Sequence, residues 1–219
     1  MRIDLPAEWI PYIVELRLER SYITDLRPLA ALTALRRLVL TRSRINDIAP
    51  LAALIRLQAL HLSFTAVSDI APLAAMTELE GCFLTGSLVG DIAPLAGLTR
   101  LERLDLGDTR VSDAAPLARL RGLRSLDLSD TRIGDVAPLA GLTALRYLDL
   151  ANTPVTDLAP LGALTELRWL ILRATRADVS TLAHLTHCRF VTEAVLPRRR
   201  ARDNPTDARS IPARPPGRR

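Results

Sequence analysis

The sequence contains no lysine: all 29 of its basic residues are arginine, against 24 acidic ones in 219 residues. It is also poor in aromatics, with two Trp, three Tyr and three Phe, and holds only two cysteines and three histidines. Cys82 and Cys188 are too few for a disulfide scaffold and fit a reducing compartment. No run of about 18 uncharged apolar residues occurs, which excludes a membrane-spanning helix by composition. Asp4, Glu8 and Glu15 interrupt what would be the apolar core of a signal peptide, so a cytoplasmic location is the expectation. Several catalytic signatures are missing as well: GxGxxG, GxxxxGK(S/T), HExxH and GxSxG. No enzyme activity, cofactor or metal is expected.

What is present is leucine and repetition. Forty-two residues are leucine. Pro28, Pro50, Pro72, Pro94, Pro116, Pro138 and Pro160 follow one another at 22-residue steps, and so do Asp25, Asp47, Asp69, Asp91, Asp113, Asp135 and Asp157. The hydroxyls Ser21, Ser43, Thr65, Ser87, Thr109, Thr131, Thr153 and Thr175 keep the same step. Three residue types holding one period define an internal repeat of the form LxxLxLxx(T/S)x(I/V)xD(I/L/V)APLAxLTx. Leu145, Leu148 and Leu150 sandwich Tyr147 and Asp149, an alternation that predicts a short strand. The hydroxyl sits where the chain turns. The DxAPLAxL stretch predicts a brief helical turn, with aspartate as its N-cap and proline in the tolerated first turn.

This pattern resembles the leucine-rich repeat family, in particular the 22-residue class of internalin-like bacterial proteins, over residues 13–187. The resemblance implies an α/β solenoid: a right-handed horseshoe with a concave parallel β-sheet and short helical turns on the convex side. It also departs from the family, since Ser or Thr stands in every copy where Asn is usual, which predicts a weaker ladder at that position. One unit alone buries too little to offset its ordering entropy, so the copies must stack and the ends must be closed. Residues 1–12, with Ile3, Leu5, Trp9, Ile10 and Tyr12, are expected to cap the first strand. The solenoid is expected over 13–196 as eight units of 21–22 residues, ending in a degenerate strand within 188–196. Its last unit, from Leu167, is one residue short and lacks the proline. With both ends closed, a complete, monomeric solenoid is the expectation.

In such a solenoid, positions 2, 3, 5, 7 and 8 of each unit project from the concave sheet, and equal positions form rows about 4.8 Å apart. Position 5 reads Arg17, Val39, His61, Phe83, Asp105, Asp127, Asp149, Ile171, and position 8 reads Arg20, Arg42, Phe64, Gly86, Asp108, Asp130, Asn152, Ala174. The face is therefore zoned. Arg17, Arg20, Arg36, Arg37 and Arg42 make a basic start; His61, Phe64 and Phe83 an aromatic patch; Asp105, Asp108, Asp127, Asp130 and Asp149 an acidic block; Tyr147, Trp169 and Ile171 the far side. Two readings of the acidic block stay open. It contributes to a partner-binding face, or it is the repeat's favoured strand sequence, neutralised internally by Arg103, Arg124, Arg146, Arg168, Arg110 and Arg132. The aromatics break the consensus at outward positions and mark a contact surface. His61 and Asp105 lie two units apart, roughly 10 Å, too far for a catalytic triad. His184, His187 and Cys188 lack zinc spacing and are given helical-turn and capping roles. Cys82 occupies a leucine position and is assigned to the core.

The C-terminal segment 197–219 is a different composition: five prolines, eight arginines and two aspartates, a charge of +6, while residues 1–196 sum to −1. Such a segment is expected to be disordered. It offers Arg198, Arg199, Arg200 and Arg202 for weak nucleic-acid or acidic-surface association, against the competing reading of arginine-rich genome bias. The leading expectation is a non-catalytic module binding an unidentified protein on its concave face. A secreted internalin-like adhesion factor is a further alternative, which the charged N-terminus and the missing wall anchor and Ig-like cap argue against.

Overall fold

The computed structural model describes residues 7–192. Nine three-residue strands form one parallel sheet in sequence order: β1 (Glu15–Arg17), β2 (Arg37–Val39), β3 (Ala59–His61), β4 (Gly81–Phe83), β5 (Arg103–Asp105), β6 (Ser125–Asp127), β7 (Tyr147–Asp149), β8 (Trp169–Ile171) and β9 (Arg189–Val191). Units one to eight begin at residues 13, 35, 57, 79, 101, 123, 145 and 167. Each strand pairs with the equivalent residues of the next, as in Leu104 with Leu126 and Leu126 with Leu148. The last step is shorter: Trp169 faces Arg189, twenty residues on. The terminal unit has thus lost two residues from strand to strand, one more than the sequence pattern leads one to expect.

The opposite side of each coil is a 3₁₀ turn, such as Ala49–Ala53, not an α-turn. The sequence contains the reason. Ile48, Leu51, Leu54 and Leu57 recur every three residues, the period of a 3₁₀ helix, so all four lie on one face. They are fully buried. Their own backbone closes the turns, with Leu51 N–H donating to Ile48 O at 2.9 Å, Leu54 to Leu51 at 2.8 Å and Leu57 to Leu54 at 3.1 Å. The same threefold spacing repeats at Val136, Leu139, Leu142 and Leu145, also buried. These residues, with the strand leucines, form one continuous core from Ile23 to Leu185. Cys82 is part of it, and its thiol is pushed up to about 12 by burial.

Two sequence expectations need adjustment. The recurring aspartate does cap the turn, but from one residue farther out than a formal N-cap. Asp47 Oδ1 accepts the Ala49 N–H at 2.8 Å, while Ile48 holds the N-cap position with no side-chain bond. Asp69, Asp91, Asp113, Asp135 and Asp157 repeat this bond at 2.8 Å. In the proline-free last unit Asp178 takes over, accepting from Ser180 N–H at 2.9 Å. Six of the eight hydroxyls, in turn, bond within their own unit and not to the next: Thr65 Oγ1 donates to Leu62 O and Thr153 Oγ1 to Leu150 O, both at 2.6 Å, while Ser21 and Ser87 make no such bond.

At the N-terminal end, Ala7–Tyr12 forms a 3₁₀ turn around Pro11. Ile10 and Ile13 face inward and pack on the core, while Trp9 and Tyr12, also three apart, face solvent at 59% and 80% exposure. Trp9 and Tyr12 therefore do not cover the first strand, because the threefold turn that brings Ile10 inward carries them out. Ile3 and Leu5, the remainder of the expected final strand beyond Thr192, and the whole of 197–219 lie outside the described residues.

Candidate functional site: the concave face

Position 8 of every unit is left-handed. Arg20, Arg42, Phe64, Asp108, Asp130, Asn152 and Ala174 have φ between 53° and 58°, and Gly86 has φ 64°. The cause is a backbone bond that prolongs the sheet ladder past the strand. Each of these residues, where the next unit is complete, donates its N–H to the position-7 carbonyl of the following unit: Arg42 to Ser63 at 2.9 Å, Phe64 to Thr85 at 2.7 Å, Asp130 to Ala151 at 2.9 Å. The chain must then reverse, and only a positive φ lets it do so. Asp, Asn and Gly accept that geometry readily; Arg and Phe do so at a cost of about 1 to 2 kcal/mol. Being at the crest of a turn, these side chains project outward, and Arg20, Arg42, Phe64, Asp108, Asp130, Asn152 and Ala174 are exposed.

The aromatic patch separates into two parts. Phe64 is 47% exposed, with the Arg42 guanidinium 4.9 Å above its ring centre. Its ring covers Gly86, where a Cβ would fall 2.6 Å from the ring. Phe83 is only 8% exposed, against the outward contact its position implies. Two neighbours account for this. His61 stacks on it at 4.3 Å, the rings within 10° of parallel, and Gly81 leaves the floor free for its ring, a Cβ there lying 3.1 Å from Phe83 Cε2. Burial, then the charges of Arg37, Arg103 and Arg17, push His61 down to about 4, so its imidazole is neutral near pH 7.

In the acidic half, Asp105, Asp127 and Asp149 stand in register across β5, β6 and β7. Each is engaged by its own strand end. Asp105 Oδ1 accepts Gly107 N–H at 3.1 Å, Asp127 Oδ1 accepts Ser129 N–H at 2.9 Å and Ser129 Oγ at 2.6 Å, and Asp149 Oδ1 accepts Ala151 N–H at 2.9 Å. Tyr147 donates to Asp149 Oδ2 at 3.2 Å. Burial raises the Asp105 carboxyl above its ordinary range and takes Asp149, 7% exposed, to about 6. Arg124, one of the expected neutralising cations, pairs with Glu102 at 3.7 Å. Asp108 and Asp130 are the exposed carboxylates of this half, Asp130 accepting from Asn152 Nδ2 at 2.6 Å. Trp169 is half-buried and carries the Arg189 guanidinium 5.2 Å over its ring. Tyr147, half-buried, is its partner in register.

The sequence reading therefore brought the right rows together but not their exposure. Position 8, Gly86 apart, is exposed and carries charges and Phe64, while position 5 is half-buried or buried from Val39 to Ile171, with Arg17 exposed at its start. Away from this face, His184 Nε2 donates to Gly162 O at 2.9 Å, a bond between neighbouring units. Among the described residues no three His, Cys, Asp or Glu form a group able to hold a metal ion.

Residues 121–173 match the family model "Leucine Rich repeats (2 copies)". With nine parallel strands among the described residues, 3₁₀ turns and a 22-residue period, the chain has the leucine-rich repeat solenoid fold. Among solved structures it is similar to internalins. It is similar to internalin C2 of Listeria monocytogenes at 29% identity and TM-score 0.82, over 84% of this chain and 82% of that one. It is similar to a second internalin of the same bacterium at 27% identity and TM-score 0.71, over 85% of this chain and 63% of the other, so it spans less than two thirds of that protein. A plant peptide hormone receptor, in complex with RGF2, shares the fold at 15% identity and TM-score 0.72, over 84% of this chain and 32% of the receptor. A comparison with curated proteins gives no match. Leucine-rich repeat proteins of this kind are typically protein-interaction modules, not enzymes.

Proposed function

We propose that the chain is a non-catalytic module that binds a protein partner across its concave face, with Phe64 as the central apolar anchor. The observation carrying this reading is Phe64 itself. A large aromatic is held half out in solvent, in a left-handed turn that disfavours it, between the basic and acidic zones of the face. Arg20 and Arg42 on one side, and Asp108 and Asp130 on the other, supply register and orientation for a partner. Tyr147 and Trp169 extend the contact towards the last units, while His61, Phe83, Asp105, Asp127 and Asp149 form the floor that holds the exposed row. The two free cysteines, Cys82 raised to about 12 and Cys188 to about 11 by burial, suit a cytoplasmic setting. Affinity capture with Phe64→Asn combined with Trp169→Ala tests the proposal against the convex-side control Arg119→Ala. Partners lost by the first variant and kept by the control support it; partners kept by both defeat it.

A second reading, an internalin-like adhesion factor, is favoured by the likeness to two internalins. Recovery from unlysed culture medium, as opposed to the cytosolic fraction, would select it. Association with nucleic acid through Arg198, Arg199, Arg200 and Arg202 rests on the +6 charge of 197–219. A chain ending at Leu196 that retains full RNA or DNA binding would remove it.

A further inference from the structure

We infer that the concave face docks a second copy of this chain, in reversed order of units. The inference rests on the concave-face reading above and names the partner of that surface. The left-handed row runs Arg20, Arg42, Phe64, Gly86, Asp108, Asp130 across six consecutive units. This order is its own complement. Place two faces together about a two-fold axis that runs along the strand direction between units three and four. The operation preserves strand direction, so the position-8 rows meet, and it reverses the order of units. Arg20 then faces Asp130, Arg42 faces Asp108, and Phe64 faces Gly86, each pair occurring twice.

The centre is shaped for this arrangement. Phe64 is exposed and its ring leans over Gly86 towards the axis, so the two Phe64 rings, each covering its own Gly86, meet one another at the centre. In the position-5 row, Arg17 faces Asp127 and the His61–Phe83 stack faces its own copy. The like-charged meeting is Arg37 against Arg103, where Glu15 already offsets Arg37 at 3.5 Å.

The size of the contact sets its strength. Six strands at about 4.8 Å by five residues at about 3.3 Å give roughly 470 Å² per copy. That is below the interface area of stable complexes, so association is weak, reversible and driven by the charged wings. It fades with salt, because the Debye length shrinks from about 10 Å at 0.1 M to about 3 Å at 1 M.

The test is sedimentation equilibrium of the full chain over a wide concentration range in low and high salt. The mass should rise from 24.0 kDa towards twice that value in low salt and stay at the monomer in 1 M salt. Two variants then separate the wings. Arg20→Glu with Arg42→Glu makes both wings acidic; Asp108→Arg with Asp130→Arg makes both basic. Each alone should remain monomeric, and their equimolar mixture should associate, since every acidic wing then meets a basic one. All four sites are exposed and Arg already occupies the equivalent left-handed turn twice, so the Asp→Arg pair keeps the fold, and the rescue in the mixture checks the folding of both variants. A wild type that stays at 24.0 kDa at every loading, or variants that fail to associate when mixed, overturns the inference. If Phe64→Asn with Trp169→Ala still loses a captured partner in that case, the concave-face reading stands and only the identity of the partner falls.

Discussion

Burial shifts titratable groups in both halves of the concave face, and in opposite senses. In the basic half, His61 is stacked on Phe83 beside three arginines and is held down to about 4. In the acidic half, Asp149 is sealed between Tyr147 and the Ala151 N–H and is raised to about 6. Burial is the leading cause in both, because it disfavours whichever form is charged. The neighbouring charges of like sign reinforce it: arginines for the imidazole, Asp127 for the carboxyl. The row of position 5 is thus kept neutral at both sites, one at neutral pH and one in mild acid, while the charges that define the zones stand one turn further out at position 8.

The largest effect should come from the seam between the halves. Gly86→Val places a β-branched side chain at φ 64°, with its Cβ 2.6 Å from the Phe64 ring. Strain and overpacking together should cost about 3 kcal/mol, read as a lowered urea midpoint, with loss of partner capture because Phe64 is displaced.

The comparison itself can be broken next. The unfolded chain takes up the His61 proton through pH 6.5, and the folded chain only near 4, so stability from this group is lost as pH falls between those values. Asp149 acts in the other direction: the folded chain is protonated from about 6 and the unfolded one only near 3.8, so stability is lost as pH rises through that window. Each shift corresponds to about 3 kcal/mol at most, and in the wild type the two slopes offset each other. Asp149→Asn should therefore raise stability at pH 7 by up to about 3 kcal/mol, because the neutral amide keeps the Ala151 bond without the buried charge, and should leave stability falling with acid. His61→Gln should expose the opposite slope, stability rising from pH 6.5 towards 4. Urea midpoints across pH 4–7 check both; parallel curves for the two variants would refute the opposition.

The smallest effect on stability should be Phe64→Asn. Asn152 occupies the same turn with φ 54°, so relief of the left-handed strain roughly cancels the lost contact with Gly86, within about 1 kcal/mol. Partner capture should nonetheless fall, which distinguishes a binding role from a structural one.

How much of this was legible in the sequence depends on the range of the interaction involved. The units, their strands and the 22-residue register were plain from Leu, Asp and Pro spacing. The 3₁₀ form of the convex turns was there too, in the threefold spacing of Ile48, Leu51, Leu54 and Leu57, though it was read only as a helical turn. Phe83 was misjudged because its cover comes from His61, 22 residues earlier, and from the absence of a side chain at Gly81. The left-handed row was invisible because its cause is a hydrogen bond to the next unit, and residues as different as Arg, Phe, Asp and Ala occupy it.

The sequence by itself thus determined the architecture: a repeat whose apolar residues fall every second position in the strand and every third in the turn can bury them only by stacking its copies. It also determined the zoning of charge along the solenoid. Only the tertiary structure decided which of those charges and rings reach solvent. Exposure on the concave face is set between units, by the backbone bonds that lift position 8 out and by the neighbouring rings that press position 5 down.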